Sequence, residues 1–457
     1  HMLVLDADSV MAGPAIVRLA RLMQANPRAG IIQTLPLPAN AETLFGRMLQ
    51  FASRLYGPVL ASGLAWWQLG EGNYWGHNAI LRTRAFAAHC ALPHLPGKAP
   101  LGGEILSHDF VEAAMIRAGG WKVWIVPDLM GSWEELPPNV IDYAQRDRRW
   151  CQGNLQHLKL LPARGFHALS RLHLVMGVMG YLASPLWLLM LLLASADVIS
   201  VALTGHPYFL PGYQLFPNWP ISKTAEIVSL LSVTALLLLL PRLYSLVLIL
   251  ADGRTRRSFG GTFRLLPSAV VELLHSVLLA PSMMMFHVHF VTATLLGHVV
   301  TWKAQARTGR GMTVREAVSR LGVHVLLGLV WGAVVLTLAP DFVYWLLPVL
   351  IGLMLSVALA FVSSRTDVGA WFRDHGLLLT PEEIDPPSEL AMLNASAGRN
   401  LPHTGSTDAP AVPAPDQLPM PARSELVCWS ARDLAGLGGS LVRPPDGYKR
   451  DRADGLS

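Results

Sequence analysis

Charge is scarce in this sequence. Of its 457 residues only 15% are Asp, Glu, Lys or Arg, while 52% are hydrophobic. That shortage excludes a soluble enzyme along the whole length, yet 31 acids and 36 bases are too many for a bare bundle of membrane helices. A soluble region joined to membrane spans satisfies both, as does the mean hydropathy of +0.38. Cysteine is almost missing. Cys90, Cys151 and Cys428 stand far apart without metal-type spacing, which excludes a disulfide framework and a zinc site. What is present in excess is Lys and Arg, with a pI near 9.2. Most of these residues lie in short loops beside apolar segments, the signature of membrane topology, and no nucleic acid is expected as a partner.

The sequence opens on Leu3-Val4-Leu5-Asp6-Ala7-Asp8-Ser9. This reads as a short buried strand ending in two carboxylates at i and i+2, which a strand projects to one side. Two acids so placed repel unless a cation sits between them. The alternative is a plain strand followed by an Asp/Ser helix cap. A buried strand needs neighbours to cover it, so a chain that enters one at residue 2 is expected to be a fragment beginning inside a domain.

An amphipathic helix follows, with Val17, Leu19, Leu22 and Met23 as its apolar set. Then come a strand over 30–34 and a helix over 41–61, an α/β order. Gly70-Glu71-Gly72-Asn73-Tyr74-Trp75-Gly76-His77-Asn78 is a glycine-rich loop leading into a strand, where backbone can approach a ligand and aromatic rings can stack on a sugar. Asp109 stands at the head of a helix over 111–118, either as a cap or as a general base. After a strand over 121–126, Arg146, Arg149 and Trp150 share a helix face, able to clamp a diphosphate or to lie on anionic lipid.

Together these elements resemble the membrane-embedded, processive members of glycosyltransferase family 2, which include cellulose, curdlan and hyaluronan synthases. That family carries Asp-x-Asp, then a Thr-Glu-Asp-type base, then (Gln/Arg)-x-x-Arg-Trp, then membrane helices. Asp6 and Asp8 match its metal and diphosphate acids, Asp109 its catalytic base, and Arg146-Asp147-Arg148-Arg149-Trp150 its last motif in the arginine variant. One departure is visible: Ser107-His108 precedes the aspartate where the family has Thr-Glu.

Within the family the likeness is to the bacterial synthases of osmoregulated periplasmic glucans. It is carried by Val4–Ser9, Glu71–Asn78, Ser107–Ala114 and Arg146–Cys151, and it extends over residues 2–375. The resemblance implies an α/β domain of GT-A type over 1–165, lacking its N-terminal half, followed by an α-helical transmembrane bundle over 170–365. It implies UDP-glucose as donor, Mg2+ or Mn2+ at Asp8 and Asp6, and Asp109 as base. Asp6, Arg146, Arg149, Trp150, Gly76, His77 and Asn78 are the implied substrate contacts. The product would be a linear β-1,2-glucan, grown by inversion and passed across the inner membrane of a Gram-negative cell. The growing chain, the lipid bilayer and a periplasmic glucan-processing protein would be its partners. Another family 2 β-glucan synthase, or a non-enzymatic transport or scaffold subunit, are the competing readings. The nucleotide-binding strands of the family would lie upstream, so the fragment alone is expected to bind UDP-glucose poorly.

Hydropathy places spans at about 172–203, 225–250, 321–340 and 342–363. Basic loops after 250 and at 301–320 mark the cytoplasmic side. Residues 265–300 then cross an even number of times, giving four to six spans in all. This segment carries Glu272, His275, His287, His289 and His298, and reads as a helical hairpin or as interface helices. His298-Val299-Val300-Thr301-Trp302-Lys303 resembles the gating loop of cellulose synthases, with Thr301 and Lys303 as its candidates; a polybasic loop is the alternative. From 380 to 457 the chain is rich in proline and is expected to be a disordered cytoplasmic tail.

Overall fold

The computed structural model describes residues 1–205, 208–209, 215–217, 219, 224–300 and 311–396. The first third is α/β. Its strands and helices are β1 (Met2–Val4), β2 (Val10–Met11), α1 (Gly13–Ala25), β3 (Ala29–Thr34), β4 (Leu37–Pro38), α2 (Leu44–Gln68), β5 (Ala79–Leu81), α3 (Thr83–His89), α4 (His108–Ala118), β6 (Lys122–Val126), β7 (Ser132–Glu134) and α5 (Val140–Gln156). One sheet has the order β1-β5-β3-β6, with β5 antiparallel to both neighbours and β3 parallel to β6. A second, small sheet has the order β2-β7-β4.

Helix α1 buries Ala15, Leu19, Leu22 and Met23, a stripe at helical spacing, against Ile32 and Ile80 of the larger sheet. Val17, expected in that stripe, is exposed. The helix stops before Pro27, whose ring disfavours helical backbone at the residue ahead of it. Helix α2 runs seven residues further than expected, through Pro58, and is capped by Thr43, whose hydroxyl accepts from Gly46 N at 3.1 Å.

The rest of the described chain is helical: α6 (Ala168–Thr204), α7 (Thr224–Ala251), α8 (Gly253–Ser258), α9 (Thr262–Leu295), α10 (Val314–Leu338), α11 (Val343–Met354), α12 (Ser356–Ser363), α13 (Thr366–Asp374), α14 (Pro381–Ile384) and α15 (Ser388–Ser396). Among the described residues four helices (α6, α7, α9 and α10) are long and apolar enough to cross a membrane, or five if the bent pair α11–α12 counts as one. Such a set is compatible with a membrane protein.

Helix α9 corrects one expectation. The segment is a single helix of 34 residues, not a hairpin. Its two internal prolines, Pro267 and Pro281, do not break it. At 1.5 Å per residue it is about 50 Å long, well beyond the ~30 Å hydrocarbon layer. Its first half packs on α2, through Leu265 against Phe51 and Leu55 and through a 3.3 Å bond from Tyr56 to Glu272. Its second half packs on α5, through Phe290 and Val291 against Cys151 and Leu155. The helix therefore runs along the α/β region, as in the interface reading. Glu272, deeply buried, is satisfied by Arg242 of α7 at 3.2 Å and by Ser276 at 2.7 Å.

The tail also differs from expectation at its start. Thr380 and Glu383 form a capping box, and Glu383 and Glu382 pair with Arg47 (2.5 Å) and Arg54 (2.9 Å) of α2. Leu390 of α15 enters the core beside Met11 and Trp133. Basic and apolar partners on the α/β region thus fold a stretch whose proline content alone argues against structure. Residues 397–457 lie outside the described residues.

Candidate active site

Strand β1 ends at Val4, and Asp6-Ala7-Asp8 form a turn in which Ser9 N donates to Asp6 O at 3.0 Å. The two carboxylates are therefore presented by a turn, not by alternate positions of a strand. Short polar residues favour such turns because their side chains compete for local backbone bonds. The turn leads directly into β2, which pairs with β7 and so places Glu134 beside the two aspartates. Burial lifts the Glu134 carboxyl above the usual range, the charges of His77 and Arg146 oppose that, and those of Asp8 and Asp6 add to it. One acid thus senses four of the expected site residues, and His77 Nε2 stands 3.5 Å from its Oε2.

The glycine-rich loop is pinned from below by Gln33 of β3, which donates to Asn73 O and accepts from Trp75 N at 3.1 Å. Tyr74 is buried, its hydroxyl donating to Gly76 O at 2.7 Å. Gly76 has φ +96°, and a Cβ there would lie 2.8 Å from the Asp109 carboxyl carbon. Only glycine permits this close approach of backbone to carboxylate. Asn78 is 0% exposed and donates from Nδ2 to Ser132 Oγ at 2.7 Å. It staples the loop to β7 from inside.

Helix α4 is positioned by its neighbours at Ser107. His157 donates from Nε2 to Ser107 O at 2.9 Å and stacks on Phe110. Burial keeps this ring neutral, lowering its pKa to about 4. Gly153 of α5 packs so tightly that a Cβ would overlap the Ser107 hydroxyl. The first turn of α4 then presents His108 and Asp109. Burial raises the Asp109 carboxyl, while His108 and His77 hold it down. His108 Nδ1 is 3.1 Å from Asp109 Oδ1 and 3.0 Å from Glu112 Oε1. Its bond to Glu112 raises the imidazole above the usual histidine value.

Helix α5, capped by Asn139 through bonds of 3.0 Å to Ile141 N and Asp142 N, carries the arginines. The Arg146 guanidinium lies over Trp150 (4.7 Å) and Tyr143 (5.3 Å). Trp150 is 46% exposed, unusual for a tryptophan on a helix so enclosed elsewhere. Burial and the neighbouring Arg146 both lower the Arg149 pKa. On the opposite face Asp147 accepts from Tyr181 of α6 (2.8 Å) and pairs with His287 of α9 (2.6 Å).

The fold thus brings Asp6, Asp8, His77, Asp109 and Arg146 around Glu134 and Tyr74, whose ionisation is opposed by burial and then by Asp109, Glu112 and Asp6. Thr301 and Lys303 lie outside the described residues; Val300, just before them, donates to Gln152 of α5 at 2.9 Å. Glu112, Glu134 and Asp147 were missed in the sequence. Glu112 had a signal, its i, i+4 spacing from His108 on a helix. Glu134 ends a three-residue strand, too short for any periodicity to mark. Asp147 sat inside the arginine motif, where its neighbours drew the reading.

A turn of acids, a half-buried carboxylate at a helix head and an arginine–tryptophan helix face lie beside long apolar helices, an arrangement that fits a glycosyltransferase. Residues 1–249 match the family model Glycosyl transferase family group 2, and the chain belongs to that family. It is similar to the glucans biosynthesis glucosyltransferase H of Cupriavidus pinatubonensis, at 51% identity over 390 residues, covering 85% of this chain and 45% of that protein. The protein of the same name from Pseudomonas syringae pv. syringae is 49% identical over 390 residues, 85% of this chain and 48% of its own length. That of Ralstonia nicotianae is 50% identical over 390 residues, again 85% of this chain and 45% of its own. The chain spans about half the length of the curated relatives it matches.

Proposed function

We propose that this chain is the C-terminal part of a processive, membrane-embedded glucosyltransferase that takes glucose from UDP-glucose and builds the linear β-1,2-glucan backbone of osmoregulated periplasmic glucans. The observation that carries the reading is the Gly76 backbone held against the Asp109 carboxylate, with His77 linking that loop to Glu134 of β7, beside the Asp6–Asp8 turn. The α/β region then belongs to a GT-A-type domain.

The chemistry is an inverting transfer without a covalent intermediate. Asp109 takes the proton of the acceptor hydroxyl as that oxygen attacks the anomeric carbon, and the electron pair of the breaking bond leaves on the diphosphate. Arg146 and Arg149 bind that diphosphate, and the exposed face of Trp150 takes the acceptor end of the growing glucan. The carboxylates of Asp6 and Asp8 are hard oxygen donors of the kind that would hold Mg2+ or Mn2+. Such an ion supplies charge neutralisation of the leaving diphosphate.

Helices α6, α7, α10 and α11–α12 are assigned as two membrane hairpins of the bacterial inner membrane. Support comes from their ends: Leu174 of α6 packs with Val111 of α4, Ile249 of α7 with Leu55 of α2, and Ala317 of α10 and Ala360 of α12 with Phe45 of α2, so each hairpin begins and finishes beside the α/β region. That side is then cytoplasmic. Thr301 and Lys303 belong to the candidate gating loop, and the glucan leaves towards a periplasmic processing protein.

The test uses membranes bearing the full-length protein and radiolabelled UDP-glucose with Mg2+. The Asp109→Asn variant should lose polymerisation by about 10³-fold while still binding nucleotide. Polymerisation at the wild-type rate would overturn the assignment. Linkage analysis of the product separates β-1,2 from other β-glucans.

A further inference from the structure

Acids vanish from one stretch of the chain in which arginines collect. Between Glu226 and Glu272 the sequence has a single carboxylate, Asp252, but carries Arg242, Arg254, Arg256, Arg257 and Arg264. Arg242 is taken by Glu272. Asp252 caps α8, accepting from Arg254 N at 3.3 Å and from Thr255 N at 2.9 Å. Arg256 turns back to donate to Leu250 O at 2.8 Å. That leaves Arg254, Arg257 and Arg264, all exposed. Acids on the neighbouring elements α13 and α14 are engaged elsewhere: Asp374 with Arg373, Glu382 with Arg54 and Glu383 with Arg47.

The fold holds these arginines outward. Phe259, between Arg257 and Arg264, is buried edge-on against Phe51 of α2 (6.1 Å) in a cluster with Leu265 and Phe372 of α13. Gly260 and Gly261, at φ +82° and +87°, then turn the chain from α8 into α9. Arg264 lies in a cradle made by two glycines. A Cβ at Gly376 would come 2.6 Å from its Nε, and one at Gly260 3.1 Å from its Cδ. The first half of α9 has two unlike faces. Leu265, Ser268, Glu272 and His275 are buried. Phe263, Leu266, Val270, Leu274 and Val277, at steps of three and four residues, form an apolar stripe that is exposed, Phe263 by 94%.

We infer that residues 254–277 form a binding surface for anionic phospholipid. The guanidinium groups of Arg254, Arg257 and Arg264 take the phosphate headgroups, and the stripe from Phe263 to Val277 enters the acyl layer beside them. The inference rests on α7 crossing the membrane: α8 begins two residues after α7 ends, which puts its arginines at headgroup depth. Both halves of the surface are needed to identify the occupant. A soluble acidic partner would match the arginines and leave the stripe in water. A zwitterionic lipid would cover the stripe and bring no net charge to the arginines. An anionic lipid satisfies both.

The test uses the full-length protein in liposomes carrying photoactivatable phosphatidylglycerol or phosphatidylcholine, with the crosslinked peptides mapped by mass spectrometry. Labelling within residues 254–277 should be about 10-fold greater with phosphatidylglycerol. In Arg254→Gln/Arg257→Gln/Arg264→Gln it should fall to the phosphatidylcholine level, and in the corresponding triple Lys variant most of it should return, which a folding defect would not allow. Because Arg264 packs on Gly376, Arg254→Gln/Arg257→Gln serves as a second variant and should lose most of the preference by itself. Equal labelling by the two lipids, or wild-type labelling in the triple Gln variant, overturns the surface. So does full displacement of the lipid by inorganic phosphate or by an acidic peptide. Washing membranes with alkaline carbonate separates the two levels: release of the protein fails the spans assigned above, whereas retention without a phosphatidylglycerol preference fails the lipid surface alone.

Discussion

Two carboxylate–histidine pairs of the molecule, Asp147–His287 and Asp109–His108, differ in every respect except composition. Asp147 and His287 join α5 to α9 at 2.6 Å, and Tyr181 and Ser184 of α6 take up the remaining oxygen and ring nitrogen at 2.8 and 3.0 Å. Asp109 and His108 are neighbours on one helix, longer at 3.1 Å, with the imidazole half in water. The first pair is closed: each polar atom has a fixed partner, and its energy goes into holding three helices together. The second is open, with lone pairs and a ring edge left for chemistry. A buried charge that is fully satisfied is a fastener, and one left partly exposed beside a glycine is a tool.

That contrast breaks if the two pairs respond alike to mutation. The largest effect is expected at the open pair. Asp109→Asn should raise the activation barrier by about 4 kcal/mol, the equivalent of 10³ in rate, with the melting temperature of the detergent-solubilised protein unchanged. His287→Ala should do the reverse, leaving the Asp147 carboxylate buried without its hydrogen-bond donor and costing about 2–3 kcal/mol of stability in a denaturation series. Next in size is Gly76→Ala. Its φ of +96° and the 2.8 Å approach to Asp109 mean that a methyl group must push the loop or the base aside. Turnover should fall by about 10–100-fold, with a stability loss of only ~1–2 kcal/mol. The smallest effect sharpens the comparison with a third histidine. His157 stays neutral in the fold because burial lowers it from 6.5 to about 4. Between those values the unfolded chain binds the extra proton and the folded one does not, so stability is flat above about pH 6.5 and declines as pH falls towards 4. In His157→Gln that part of the decline should vanish from the melting temperature measured across this range.

Much of the site was legible because its residues recur in a fixed order along the chain. The acids at 6 and 8, the base at 109 and the arginines at 146 and 149 can be found without coordinates. Their geometry was not legible. Asp6 and Asp8 were read on a strand because apolar residues precede them, but the strand ends two residues earlier and a turn carries both. Asn78 was read as a ligand contact because it closes a glycine-rich loop; the positive φ and full burial that make it a staple carry no signal in the sequence. Helix α9 was divided into two because basic loops flank it on both sides, and topology rules count crossings without seeing a helix that runs along a neighbouring domain. The first residues of the tail were misread for a related reason. Their partners, Arg47 and Arg54, are more than 300 positions away, and no local pattern signals them.

Those same partners impose an order on assembly. Leu390 completes the core around Met11 and Trp133, Glu383 reaches back to Arg47 across 336 positions, and Asn394 to Asn40 across 354. On a ribosome the region bearing the acid turn emerges before helices α6 to α12 and stays unfinished while they are made. It closes only when the segment after α12 appears. Pairings this distant are slow to form, and an interrupted chain would leave the core open. The core beside the acid turn is therefore completed only after helices α6 to α12 have been made.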